Sequence, residues 1–130
     1  FLGMQRVEDL MPQIGLVVLS SISEALPLVL LEGYAAGVPA VSTDVGSCRQ
    51  LVEGLDEEDR ALGASGAVVP IAKPQQLADA ALRLLGDSAA WQAASRAAVA
   101  RVERYYTDTL MFDRYRQVYE SALARNPGAA

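Results

Sequence analysis

Hydrophobic positions fall into short continuous runs and longer, helically spaced segments over the first 85 residues of the chain. Residues 15–19 (GLVVL) form a continuous apolar run of strand length, and residues 38–42 and 67–69 form two more short runs. Uninterrupted runs of this kind are typical of parallel strands that are buried on both faces. The pattern therefore predicts three parallel strands.

Helices are predicted between and after these strands. Pro27 stands at the favoured first position of a helix over residues 27–36, and Gly37 ends that helix. The segment with the highest alanine content, residues 89–105, consists largely of the best helix former. The other helices are expected over residues 7–14, 48–53, 74–85 and 109–124.

The order of these elements defines the fold class. Alternating strands and helices predict right-handed βαβ units, and hence an α/β protein with a short parallel sheet flanked by helices. Doubly wound domains are usually built from two halves of about three strands each, so the chain resembles the second half of a Rossmann-like domain. We expect residues 1–105 to form this partial domain and residues 106–130 to form a C-terminal helix and tail. Phe1-Leu2-Gly3 would then be the end of a preceding strand and its turn.

The composition narrows the chemistry of the chain. Its 130 residues carry a net charge of −5, which argues against a nucleic-acid partner because such partners select a basic face. There is no histidine and a single cysteine, Cys48, which excludes a Ser-His or Cys-His catalytic pair, a histidine metal site and an internal disulfide within this sequence. Charged residues and prolines interrupt the long apolar stretches, so we expect no membrane span and a cytoplasmic location.

Three other features have ordinary structural interpretations. Residues 56–60 (DEEDR) are acidic and predict a solvated surface turn. Phe112, Tyr115 and Tyr119 are spaced three and four residues apart, so they share a face of the last helix and predict a packing stripe. Trp91 has helical neighbours and is expected in the core or in an interface.

The start of the helix at Pro27 has no obvious cap. Leu26 cannot accept a hydrogen bond through its side chain, so the backbone amides of Leu28 and Val29 have no evident side-chain partner. A phosphate at this position would satisfy both amides and would meet the positive end of the helix dipole. Water, or a side chain of the preceding loop folding back, would also satisfy them, and this feature alone favours those two explanations.

Two carboxylates flank this helix start, eight residues apart. Glu24 lies in the loop that follows the first strand, and Glu32 shares a helix face with Leu28. A carboxylate among apolar neighbours is costly if it is buried without hydrogen bonds, and ribose hydroxyls would supply donors for Glu32. The alternative is that Glu32 simply reaches solvent at the edge of the helix.

The segment resembles the E-x7-E signature of retaining glycosyltransferases with two facing Rossmann-like domains, the GT-B fold of family 4. It is more similar still to the subfamily of cytosolic glycosyltransferases of Pel-type exopolysaccharide synthesis. The resemblance covers nearly the whole chain, and the matching segments are LSSISE (19–24), PLVLLE (27–32), AAGVP (35–39), STDVGSCR (42–49), LVEG (51–54), EEDRALG (57–63) and VVPIA (68–72).

This resemblance implies a role for each residue around the helix start. Glu24 would be the catalytic residue that faces the hydroxyls of the donor sugar, and Glu32 would bind the ribose hydroxyls. Leu28 and Val29 would offer backbone amides to the diphosphate. The implied reaction transfers a hexose from a nucleotide sugar, with UDP-glucose as the expected donor, to a growing exopolysaccharide with retention of configuration, without a bound metal or other cofactor.

The resemblance also implies what surrounds this site. Gly46 and Ser47 would border the same pocket, and Gln50 stands where many members of the family carry a glutamate. A basic clamp and an acceptor-binding N-terminal domain lie in parts of the enzyme that precede this chain, so the chain is expected to be a C-terminal fragment that is inactive alone. The C-terminal helix would cross to that domain, which would leave its aromatic stripe bare here. A membrane polysaccharide synthase complex would be a further partner.

Other functions and assemblies compete with this hypothesis. A non-catalytic Rossmann-like interaction domain would keep the fold without binding a nucleotide, and a nucleotide-sugar epimerase of related fold would use a similar donor. A nicotinamide dehydrogenase is disfavoured because no G-x-G-x-x-G opens a helix. The strand at residues 15–19 has no charge or proline to protect its outer edge, so we expect the chain to form a homodimer through that edge, the aromatic stripe, or both.

Overall fold

The computed structural model describes residues 3–125, which alternate between strands and helices in the predicted order. Three strands are found there: β1 (Val17–Leu19), β2 (Ala40–Thr43) and β3 (Gly66–Val69). The α-helices of this region are α1 (Val7–Leu10), α2 (Leu28–Ala35), α3 (Cys48–Glu53), α4 (Glu57–Arg60), α5 (Pro74–Gly86), α6 (Ser88–Tyr105) and α7 (Asp108–Arg125). The strand end expected at Phe1 and Leu2 and the tail after Arg125 lie outside the described residues.

The strands form one parallel sheet in the order β1-β2-β3. Val17 of β1 lies opposite Ala40 of β2, and Ala40 lies opposite Gly66 of β3. The backbones of β2 and β3 approach each other closely at Gly66, where a Cβ atom would lie 1.6 Å from the carbonyl oxygen of Ala40. The sheet confirms the predicted α/β class, and it places β1 at one edge.

Helices pack against both faces of this sheet. Successive side chains of a strand point to opposite faces, so each face carries apolar side chains that a helix buries. On one face, Ala40 belongs to a buried cluster with Leu30 and Tyr34 of α2. On the other face, Val41 belongs to a buried cluster with Ala80 of α5. Packing against the sheet fixes the axis of α2, so the N-terminus of this helix is held at the edge where the parallel strands end.

The acidic segment at residues 56–60 is exposed to solvent as predicted, except at Asp59, which is buried. It contains α4, and the Asp56 carboxylate caps this helix by accepting a hydrogen bond from the Asp59 amide at 2.9 Å. Asp59 is only 1% exposed and forms a salt bridge of 2.6 Å with the Arg101 guanidinium of α6. The burial of Asp59 was not predicted because its partner cation lies 42 residues further along the chain, beyond the reach of a local charge pattern.

Several boundaries differ from those predicted. The helix expected over residues 7–14 divides into α1 and a 3-10 turn at Met11–Gln13, which contains Pro12 and therefore one backbone donor fewer. The first two strands begin two residues later than expected, at Val17 and Ala40. Pro27 lies at the position immediately before α2 instead of in its first turn.

Helix α7 stands apart from the core, since none of its residues is buried. Phe112, Tyr115 and Tyr119 each expose more than half of their surface, so no other described part of the chain covers the predicted packing stripe. Trp91 is half-buried, and its indole Nε1 donates a hydrogen bond of 2.6 Å to the carbonyl oxygen of Gly15. It therefore lies in the interface between α6 and the segment before β1, as predicted.

Candidate functional site

The candidate site lies at the carboxyl edge of the sheet, where β1 and β2 end side by side. Leu19, the last residue of β1, is opposite Ser42 of β2, so the loops that follow the two strands emerge next to each other. Ligands of open α/β sheets bind at this edge. The loop after β1 carries Glu24 and leads into α2, and the loop after β2 carries Gly46 and Ser47.

The N-terminus of α2 has no side-chain cap, as predicted. Pro27 has an extended backbone with φ −75° and ψ 102°, and its carbonyl oxygen accepts a hydrogen bond of 3.1 Å from Leu30. Neither Ser23 nor Glu24 folds back onto the first turn. Leu28 is 62% exposed and Val29 is half-buried, so the first turn of the helix opens towards solvent.

Glu24 is half-buried in the loop before this helix. The Ser21 hydroxyl donates a hydrogen bond of 2.7 Å to Oε1 of the Glu24 carboxylate. The carbonyl oxygen of Ser21 in turn accepts a hydrogen bond of 2.5 Å from Oγ1 of Thr43 at the end of β2. The Glu24 carboxylate is thus connected through Ser21 to Thr43, which is buried at the end of the central strand β2.

The loop after β2 contacts the same segment from the other side. The amide and the hydroxyl of Ser47 both donate to the carbonyl oxygen of Ala25, at 3.0 and 2.7 Å. Gly46 has a positive φ of 51°, and a Cβ there would lie 2.2 Å from the carbonyl oxygen of Glu24. The structure therefore brings Glu24, Gly46 and Ser47 together, although 22 residues separate the two loops.

Glu32 does not have the buried, apolar surroundings from which its role in binding ribose was predicted. It lies in the second turn of α2, one turn beyond Leu28, and its side chain is exposed. An exposed carboxylate carries no burial cost, so Glu32 does not need ribose hydroxyls to offset one. Its binding of ribose stays a prediction that rests on the resemblance and on its position beside the helix start.

The charged and polar side chains of α3 lie next to this site. Arg49 is exposed and bonded to Asp44 at 2.6 Å and to Glu53 at 2.8 Å, and these hydrogen bonds raise the pKa of Arg49 above its usual value. Gln50 donates a hydrogen bond of 3.0 Å to the Tyr106 hydroxyl at the end of α6. The amide of Gln50 therefore joins two helices.

An apolar cleft of about 450 Å³ opens beside the α2 N-terminus. It separates the first turn of α2 from the start of α7, and its lining includes Leu26, Leu28, Leu31, Tyr106, Met111 and Tyr115. Sequence reasoning missed this cleft because its two walls are far apart in the chain. It also missed Ser21 and Thr43, whose hydroxyls have no local pattern that distinguishes them from other loop residues.

Within residues 3–125, no helix is both long enough and apolar enough to cross a membrane. In the same range, no three cysteine, aspartate or glutamate side chains are grouped so that they would hold a metal ion.

Comparison with known proteins assigns the chain to a family. Residues 1–87 match the family described as glycosyl transferases group 1, and the chain belongs to this family. Among solved structures it is similar to sucrose-phosphate synthase of Thermosynechococcus elongatus, with a TM-score of 0.73 and 26% sequence identity. That match covers 86% of this chain and 26% of the synthase chain.

Three relatives extend this result. The chain is 48% identical over 66 residues to an exopolysaccharide phosphotransferase of Streptomyces coelicolor, covering 51% of the chain and 6% of that protein. It is 32% identical over 100 residues to the lipopolysaccharide core biosynthesis mannosyltransferase LpsB of Rhizobium meliloti, and this match covers 77% of the chain and 27% of that protein. It is 28% identical over 124 residues to the N-acetyl-alpha-D-glucosaminyl L-malate synthase of Bacillus anthracis, and this match covers 95% of the chain and 30% of that protein.

These comparisons confirm the coarser part of the prediction. The family is one of glycosyl transferases, and the fold is similar to that of a sucrose-phosphate synthase. The chain spans between 6% and 30% of the length of these relatives. The activity, donor and partners of the whole protein are therefore matters for proposal.

Proposed function

We propose that this chain is the donor-binding part of a retaining glycosyltransferase of GT-B family 4. The observation that carries the proposal is the uncapped N-terminus of α2, which opens at the carboxyl edge of the sheet between Glu24 and Glu32. A helix N-terminus attracts a phosphate through its amides and its dipole, and carboxylates accept hydrogen bonds from sugar hydroxyls. A nucleoside diphosphate sugar combines both kinds of group in one molecule.

Each residue of the site has a part in holding this donor. The backbone amides of Leu28 and Val29 bind the diphosphate, and Glu32 accepts hydrogen bonds from the ribose hydroxyls. Glu24 accepts hydrogen bonds from the hydroxyls of the transferred sugar and fixes its position during transfer. Gly46, together with Ser47, borders the sugar pocket mainly by shaping the backbone around Glu24, since both donors of Ser47 are used on Ala25. No metal ion or other cofactor takes part.

The acceptor is a growing exopolysaccharide and the donor is UDP-glucose, as in the Pel-type subfamily that the chain resembles. Support for a polysaccharide product comes from the relative named as an exopolysaccharide phosphotransferase, although it shares only 66 aligned residues. The basic clamp and the acceptor-binding domain lie in other parts of the same enzyme, which works in the cytoplasm beside a membrane polysaccharide synthase complex. The isolated chain does not transfer sugar because it lacks both parts.

We also propose that the isolated chain forms a homodimer. β1 pairs only with β2 among the described strands, and Val18 in β1 is 50% exposed. An unprotected edge strand favours pairing with a second strand, and the aromatic stripe of α7 adds apolar surface. The competing outcome is that the first residues of the chain or its final helix cover the edge of β1, in which case the isolated chain is a monomer.

The experiment measures donor binding and transfer in the longer enzyme that carries this chain. Calorimetry with UDP-glucose compares the wild-type enzyme with Glu32→Gln, and Glu103→Gln on the exposed side of α6 is the matched control. A lost hydrogen bond to a charged group costs about 1.5–3 kcal/mol, so Glu32→Gln is expected to weaken donor binding by more than tenfold. The anomeric configuration of the product, determined by NMR with and without EDTA, tests retention and independence from metal ions.

Each result has a defined meaning. Unchanged donor affinity in Glu32→Gln would remove Glu32 from the site. Loss of transfer on chelation would contradict the proposed metal independence. A wild-type enzyme that neither binds nor consumes any nucleotide sugar would refute the proposed function itself and would favour a non-catalytic interaction domain.

A further inference from the structure

The backbone on both sides of Glu24 is fixed by the strand and the loop that lie next to it. On the N-terminal side, Thr43 of the buried strand β2 donates to the carbonyl oxygen of Ser21 at 2.5 Å. On the C-terminal side, Ser47 donates two hydrogen bonds to the carbonyl oxygen of Ala25. Thr43 is only 5% exposed, so the first of these contacts joins the loop to a rigid part of the sheet.

The Glu24 side chain would still rotate about three bonds if only its backbone were fixed. Ser21 restricts that rotation, because its hydroxyl donates to Oε1 of the carboxylate at 2.7 Å. A carboxylate oxygen accepts more than one hydrogen bond, and the second oxygen, Oε2, has no hydrogen bond to the described part of the chain. One oxygen is therefore held by the protein while the other is available to a ligand.

We propose that Ser21 is a positioning residue that holds the Glu24 carboxylate in the orientation used for the transferred sugar. This inference rests on the proposed function of the site. Ser21 acts through Glu24, and Thr43 acts through the backbone of Ser21. A catalytic group that is held in advance loses little freedom when the transition state forms, so the benefit appears in turnover more than in nucleotide binding.

The local surroundings favour positioning over a purely structural role. Ser21 and Glu24 are both half-buried in a loop, where water would solvate either side chain if the other were absent. Removing the serine hydroxyl should therefore leave the fold intact, because no deeply buried polar group is left without a partner. The carboxylate would instead sample several rotamers, only some of which face the sugar.

The test uses steady-state kinetics of the longer enzyme with UDP-glucose, together with calorimetric binding of UDP, which lacks the sugar. Ser21→Ala removes the hydroxyl, and Ser21→Thr retains it. Ser23→Ala is the matched control, because Ser23 lies in the same loop, is exposed and takes no part in the hydrogen bonds of Glu24 described above. Thermal melting is measured for every variant.

We expect Ser21→Ala to lower kcat by about ten- to hundredfold, the size expected for a lost hydrogen bond to a charged group. The affinity for UDP should change by less than about twofold, and Ser21→Thr should restore most of the turnover. Ser23→Ala should behave as the wild type. Thr43→Val, which removes the hydroxyl and keeps the shape of the side chain, should lower kcat in the same direction.

Three results would overturn the inference. The first is a Ser21→Ala enzyme with wild-type kcat, and the second is an equal loss in Ser21→Ala and Ser21→Thr accompanied by a lower Tm, which would indicate a structural role. The third is a wild-type enzyme without any transfer or nucleotide-sugar binding, in which case the proposed function fails as well. The first two results leave wild-type transfer intact, so the failure of this inference is distinguishable from the failure of the proposed function.

Discussion

Replacing Arg101 by methionine should destabilise the chain more than any change at an exposed ion pair. The Arg101 guanidinium is buried and donates to the Asp59 carboxylate, to the Ser65 hydroxyl and to three backbone carbonyl oxygens, those of Val52, Asp59 and Gly63. Arg101→Met leaves the buried Asp59 carboxylate with only the amide of Leu55, at 2.8 Å, as a remaining donor.

The size of the effect follows from this unpaired charge. Removing one partner of a buried ion pair costs about 3–5 kcal/mol, which is a large part of the roughly 5–15 kcal/mol that stabilises a typical domain. With a urea m-value of about 2 kcal/mol per molar, the unfolding midpoint should fall by about 2 M. Replacing both Arg101 and Asp59 by apolar residues should recover part of the loss, since no charge is then left buried.

Urea unfolding followed by circular dichroism is the assay, and Arg104→Met is its control. Arg104 lies on the same helix and pairs with Glu58 of the same α4, but both side chains are at least half exposed. Exposed pairs contribute about 0–1 kcal/mol, so the control should unfold close to the wild-type midpoint. If Arg101→Met and Arg104→Met shift the midpoint equally little, the buried pair does not stabilise the fold in the way described here.

Two further predictions concern the core and the edge strand. Burial raises the pKa of Tyr34 well above its usual value, so the stability linked to Tyr34 is full below about pH 10 and declines as the pH rises further. Tyr34→Phe should lessen this decline at high pH. The Tyr34 hydroxyl has no hydrogen-bond partner among the described residues, so the same substitution should not lower the Tm at pH 7. A clear drop in Tm at pH 7 would contradict this. Sedimentation should show the isolated chain as a dimer and Val18→Lys as a monomer, whereas a monomeric wild type at high concentration would exclude edge pairing.

The order of the strands and of the longer helices was predictable because each of these elements has a local signal. Continuous apolar runs indicated the strands, and Gly37, with its positive φ of 75°, indicated the end of α2. The start of α2 was placed within one residue because proline restricts the backbone on both sides. Local signals of this kind depend only on neighbours in the sequence.

The contacts that organise the candidate site have no such signal. Thr43 and Ser21 lie 22 residues apart, and Arg101 lies 42 residues from Asp59, so each pairing depends on how the elements pack. The charge pattern of residues 56–60 even pointed away from burial, because Arg60 alone does not neutralise four carboxylates. The exposure of Glu32 likewise depends on which side of α2 faces the sheet, and the uniformly apolar character of this helix concealed that.

The close approach of Gly46 to the carbonyl oxygen of Glu24 has a consequence for loop exchange between members of this family. The two loops are complementary surfaces, since one supplies a backbone without a side chain and the other supplies the carbonyl groups that fill the space. A chimera that receives the Glu24 loop from one parent and the Gly46 loop from another would combine surfaces that were never fitted to each other. Chimeras designed to exchange donor specificity should therefore keep residues 20–27 and 44–47 from the same parent.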